Sequence, residues 1–250
     1  MRKTTRRHHR QLFIPLLATQ ILVALFLILP GTSAHASIAV DRSIIYFLPG
    51  QPPRQDLIIF NHGTQKTYIK TEVFEVFNPG TPEEIRRKAT SLDEVNLLVS
   101  PNKMAIPPKG RKRIRFSYLG DNQKERVFRI NITPVMGAIK SKSTALKLVV
   151  AYQILLIITP EKAQVMLSAE RQDNTILFKN NGNTNVLLTK ARFCETQTTP
   201  SEKCEPASLS KRIYAGNQWR ITLPDSGQFV EFEVVNGSLS TRASQRFPRP

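Results

Sequence analysis

The feature that most limits the fold of this chain is a spacing. From Ser37 onward, apolar residues recur with period two in short runs, and clusters of Pro, Gly, Asn and Asp separate the runs. Successive side chains of a strand point to opposite faces, so such runs build sheets that are apolar on one side. Helical spacing is scarce. The pattern predicts strands over 38–46, 56–61, 68–76, 96–100, 113–118, 127–135 and 146–158, then shorter ones over 165–169, 175–179, 186–194, 218–223 and 229–234. Seven strands with turn signals between them make an immunoglobulin-like count, and the remaining strands suffice for a second sandwich. The expected fold is all-β, with two immunoglobulin-like β-sandwich domains in tandem; 250 residues are enough for two cores.

Thr159-Pro160-Glu161-Lys162 closes the longest apolar run, because proline has no amide to give a ladder. The expected domains are therefore 37–159 and 160–240, with the Arg-, Ser- and Pro-rich 241–250 as a frayed tail. The polar stretch 79–93, with Pro82-Glu83-Glu84, reads as an excursion with one helical turn and no assigned function.

Residues 1–36 have the three-part grammar of a secretory signal: basic Arg2, Lys3, Arg6, Arg7 and Arg10, an apolar run from Leu12 to Leu29, and the small-residue pattern Ala34-His35-Ala36. Cleavage before Ser37 is expected, which leaves no stable membrane insertion. Removing those five basic residues lowers the formal charge from +17 to +12. Such a charge suits nucleic acid, an acidic membrane surface or acidic protein partners, and export disfavours nucleic acid.

Cys194 and Cys204 lie close together in an exported chain, so one small-loop disulfide is expected. After the signal, His62 is the one histidine left, beside a turn glycine. Unless His62 serves, that leaves no Ser-His-Asp or Cys-His set; there is no metal site and no cofactor motif, and the carboxylates are too scattered for a hydrolase pair. The chain reads as a binding protein with no catalytic residues.

The segment 145–160 is the most informative. Its first half alternates, with Leu146, Leu148 and Val150 on one face, and a flexible basic loop, 137–143, precedes it. Periodicity leaves two arrangements open. The three side chains either face their own core or stand on an unpaired edge, where a foreign polypeptide could add a strand.

In order and spacing, four pieces of this chain resemble the periplasmic pilus-assembly chaperones of the chaperone/usher pathway: 37–46, 106–116, 125–135 and the long strand ending in Pro160. The stretches 126–129, 152–160 and 213–219 resemble the branches that assemble thin or common-type fimbriae. The resemblance implies a chaperone that lends its last first-domain strand to a fimbrial subunit and delivers it to an outer-membrane usher without nucleotide. Leu146, Leu148 and Val150 match the family's alternating ladder and would plug the subunit's groove.

The match fails at the family's Arg/Lys clamp on the subunit's terminal carboxylate, where this chain has Ile44 and Leu155. Arg42, two residues from Ile44, and Arg129, on the strand expected to neighbour the last one, are the candidate replacements; solvated or locally paired side chains are the other reading. Thr159 stands where a basic residue commonly precedes the hinge proline, so no family salt bridge between the domains transfers. The run 109–115, with Arg111, Lys112, Arg113 and Arg115, reads as a solvated strand face or a surface for an acidic partner. The alternative function is an exported immunoglobulin-like structural or adhesive component of a surface fibre. A fibre component of that kind would carry its own N-terminal extension, whereas here a sandwich strand follows the signal directly.

Overall fold

The computed structural model describes residues 38–121, 123–135, 149–225, 227–237 and 241–248. The expected signal segment and the ladder residues Leu146 and Leu148 lie outside them.

Ten strands form the first half: β1 (Ile38–Val40), β2 (Ile44–Phe47), β3 (Arg54–Asn61), β4 (Thr67–Phe77), β5 (Ile85–Lys88), β6 (Leu97–Ser100), β7 (Lys103–Ile106), β8 (Arg111–Tyr118), β9 (Arg126–Val135) and β10 (Tyr152–Ile158). One sheet runs β1-β3-β8-β6. The other runs β2-β10-β9-β4-β5, with β7 also on β4. The period-two pattern explains the packing between them: Leu57 and Ile59 of β3, Ile114 and Phe116 of β8, Phe128, Ile130 and Ile132 of β9, and Ile154 and Leu156 of β10 all bury their side chains in one core.

The expected single strand over 38–46 is divided between the two sheets. Asp41 makes the division: its N–H donates to the Ile58 carbonyl at 3.1 Å while its carboxylate accepts the Ile58 N–H at 2.9 Å. With that pairing to β3 ended, the chain crosses over, and Ser43 O accepts the Leu155 N–H at 3.0 Å. β2 then runs parallel to β10.

Eight strands form the second half: β11 (Leu167–Gln172), β12 (Thr175–Asn180), β13 (Val186–Cys194), β14 (Glu205–Pro206), β15 (Lys211–Ile213), β16 (Gln218–Thr222), β17 (Phe229–Asn236) and β18 (Arg242–Phe247). They pair as β11-β12-β16 and β14-β13-β17-β18, with β15 also on β13. The two halves are thus two β-sandwiches. The second core gathers around Phe178, whose ring meets Phe232 and Phe247 edge-on at 5.8 and 5.1 Å and lies 5.8 Å from Trp219.

Two readings of the sequence are corrected. The polar excursion 79–93 contains β5, antiparallel to β4, and a single helical turn at Leu92–Val95. The frayed tail is largely a strand. β18 pairs with β17 along its length, and Phe247 is fully buried. Buried Phe247 and the bonds of Arg246 fasten the end of this polar edge strand, whose polar residues hid the alternation.

Cys194 and Cys204 are joined, with Cα atoms 4.6 Å apart. The loop they close is held from β18: Arg246 donates to the carbonyls of Thr196 (3.2 Å) and Gln197 (2.7 Å) and to the Glu231 carboxylate (2.6 Å).

Candidate functional site

β10 is covered unequally. β9 pairs with it over its full length, but β2 covers the other side only from Leu155 to Ile158. Among the described residues, no strand lies against that side of Tyr152, Gln153 and Ile154. An unpaired edge with apolar neighbours is the kind of surface that accepts another chain. Upstream, Val149 is exposed and Val150 half-buried, and neither belongs to a strand. Val150 has the parity of Ile154 and Leu156, which face the core.

The outward face of this sheet carries one row across five strands. The register aligns Lys88, Phe74, Arg129, Leu155 and Ile44, so the two positions where the family clamp would stand are direct cross-strand neighbours, both apolar. Arg129 is next in the row. Its Nε is buried and has no hydrogen-bond partner among the described residues. Arg129 also acts on Glu84 and Tyr214. Burial pushes Glu84 up, yet the Gly80 amide and the guanidinium groups of Arg86 and Arg129 bring its carboxyl below the ordinary value. Burial raises the Tyr214 hydroxyl, against the charges of Arg212 and Arg129.

The other candidate is placed differently. Arg42 lies in the bend between β1 and β2, is half exposed, and pairs with Asp41 at 3.0 Å. It does not join the row.

Beside the row, a polar ladder extends toward the open edge. Gln153 donates to Asn131 at 2.9 Å and accepts from Arg86 at 3.3 Å. On the other side, Leu155 and Ile157 enter an apolar seam with Val76, Val127 and Tyr46 of the first sandwich and Tyr214 of the second. Leu155 is therefore only 8% exposed, whereas Ile44 stays 38% exposed at the sheet edge. A Cβ on Gly80 would sit 3.3 Å from the Tyr214 ring, and Asn217 donates to the Pro79 carbonyl at 2.7 Å, so the β4–β5 turn also touches the second sandwich.

Sequence reading missed this seam. Glu125 and Tyr214 stand within the segments that carry the resemblance, but no spacing distinguishes a residue bound for a domain interface from one bound for solvent. Among the described residues, no group of three or more His, Cys, Asp or Glu is placed to hold a metal ion, and no helix is long and apolar enough to cross a membrane.

Residues 37–164 match the family model described as pili and flagellar-assembly chaperone, PapD N-terminal domain. Two sandwiches with that first-half match define the class, and the chain belongs to this family of pilus-assembly chaperones, which are not enzymes. Among curated relatives, a CS1 fimbrial subunit of Escherichia coli is 28% identical over 196 residues, covering 75% of this chain and 82% of the relative. A CFA/I fimbrial subunit of Escherichia coli is 26% identical over 164 residues, 62% of this chain and 68% of the relative. The same fold occurs in the class 5 fimbriae chaperone CfaA, with a TM-score of 0.66 and 21% identity over 85% of this chain and all of that one. The Escherichia coli chaperone DraB superposes with a TM-score of 0.58 at 15% identity, covering 86% of this chain and 97% of that one.

Proposed function

We propose that this chaperone works in the periplasm, binds a fimbrial subunit by lending it the strand that leads into β10, and passes the subunit to an outer-membrane usher. In this reading Leu146, Leu148 and Val150 enter the subunit's groove. Arg129 receives its terminal carboxylate in the row where Ile44 and Leu155 stand in place of a basic pair. The observation that carries the reading is the partial cover of β10: among the described residues, no strand lies against the second side of Tyr152, Gln153 and Ile154. Solved structures with this fold include a chaperone–tip adhesin complex and a pilin in complex with its chaperone, which is the kind of partner proposed here.

Arg129 suits a carboxylate for two reasons: its Nε lacks a partner among the described residues, and a guanidinium can present paired N–H groups to both oxygens. Co-expression with a candidate pilin is the test. A soluble one-to-one complex that is lost in Arg129→Glu supports the site. Free pilin, or a complex indifferent to that change, removes Arg129 from it.

A further inference from the structure

The two ends of β10 are held by different means. From Leu155 to Ile158 the strand has a ladder on each side, with β9 and with β2. At Tyr152, Gln153 and Ile154 the ladder with β9 stands alone among the described residues. There, side chains supply the second fastening.

Tyr152 has the parity of Ile154 and Leu156, so its half-buried ring turns inward and packs against the first core. Its hydroxyl crosses between the sheets and donates to the Ile38 carbonyl at 2.8 Å. Ile38 opens β1, the edge strand of the opposite sheet, and its own side chain is fully buried, so the anchor point is a fixed part of the sandwich. On the outward face Gln153 is held twice: it donates to Asn131 at 2.9 Å and accepts from Arg86 at 3.3 Å, and Arg86 is itself paired with Glu84 at 2.7 Å. The polar excursion that carries β5 thus reaches across the sheet to the uncovered end of β10.

Neither fastening uses the backbone of β10. Both faces of the strand end are pinned through side chains, and the edge itself is left to a newcomer. Position 152 is also a boundary. Ile154 and Leu156 are almost completely buried in their own core, Tyr152 is half-buried against it, and Val149 is exposed. A strand that pairs with another chain gives up conformational freedom, and one already held extended avoids part of that loss.

We propose that Tyr152 and Gln153 are positioning residues that hold the uncovered end of β10 extended before a partner arrives and fix the point at which the strand leaves its own core. Tyr152 carries the larger share, because its bond is partly buried and ties two sheets together, whereas the Gln153 contacts are exposed to water. The proposal rests on the strand-lending reading, and the partner it serves is an extended apolar segment of a pilin.

The experiment has two arms, with the purified protein alone and with a candidate pilin. In the first, 15N relaxation is measured on the free wild type, Tyr152→Phe and Gln153→Ala. The amides of Tyr152, Gln153 and Ile154 should lie near the rigid-backbone order parameter of about 0.85 in wild type. They should fall in both variants, further in Tyr152→Phe, while those of β8 stay unchanged. In the second arm the association rate with the pilin should drop about tenfold in the double variant, with little change in dissociation. A bond that merely stabilises the fold would lower the melting temperature and leave the association rate of the folded protein alone. Order parameters unchanged in both variants overturn the proposal, as does an unchanged rate toward a pilin that wild type captures. If Tyr152→Phe does not fold, Gln153→Ala decides, since its side chain is exposed. If wild type captures no pilin, strand lending falls, and the first arm still judges the pinning by itself.

Discussion

Two strand edges of this molecule are finished in opposite ways. β18, at the edge of the second sandwich, exposes Arg242, Ala243 and Ser244, and fastens Arg246 to Glu231 and to the disulfide loop. β10 has no charged residue along its length, and among the described residues β2 covers only its Leu155–Ile158 portion on one side. Charges on an edge repel the addition of further strands, and soluble proteins ordinarily use them for that purpose. Among the described residues, the first sandwich leaves one such edge without either device, while the second protects its own with two, as expected if the first edge receives a partner.

The comparison breaks most visibly if the ladder is given charges of its own. Replacing Leu148 and Val150 together with Asp removes two apolar anchors worth about 1.5 to 3 kcal/mol each. Pilin recovery in a pull-down should fall more than a hundredfold while the free protein's melting point stays unchanged. Equal loss of both would mean that these side chains pack in their own core.

The closed edge answers to the opposite readout. Arg246→Ala leaves buried Glu231 with Arg192 at 3.7 Å and the Ser201 hydroxyl at 2.8 Å, so the stability lost should fall below the range of about 3 to 5 kcal/mol for a buried pair left with no counter-ion. Denaturant unfolding should register that loss with little change in intrinsic affinity for the pilin. Acid should imitate it. Burial pushes Glu231 up, but bonds from Ser201, Arg246 and Ser244 hold its carboxyl below the ordinary value. Its contribution is therefore present above the unfolded-state value and lost as pH falls through the folded one. Arg246→Ala should flatten that part of the pH–stability curve.

A smaller effect sharpens the site itself. Arg129→Ala should weaken pilin binding by about tenfold to a hundredfold, the range of a hydrogen bond to a charged group. Arg42→Ala, at a side chain already paired with Asp41 on the surface, should change it less than about threefold. Reversed magnitudes, measured by titration calorimetry, would move the carboxylate site to the β1–β2 bend.

Much of the fold was legible because burial is periodic. β3, β4, β8, β9 and β13 fall within two residues of the strands that alternation predicts. Elements carrying little apolar signal were missed: β5 is Ile-Arg-Arg-Lys and exposed throughout, β14 is two residues, and β18 has Phe247 as its one large apolar residue. The break in the first strand escaped notice because Asp41 acts through hydrogen bonds to β3, a partner seventeen residues away that no local pattern reveals. At the site, alignment identified Ile44 and Leu155 as departures from the family, and the register makes them neighbours. Their different burial depends on Tyr214 of the other sandwich, which sequence spacing could not bring to that place.

Amide hydrogen exchange across residues 146–153, in the free protein and in a purified complex with its pilin, tests the open edge most directly. Rapid exchange in the free chain and strong protection in the complex are the expected result. Amides already protected in the free protein, or still exchanging freely in the complex, would contradict the account.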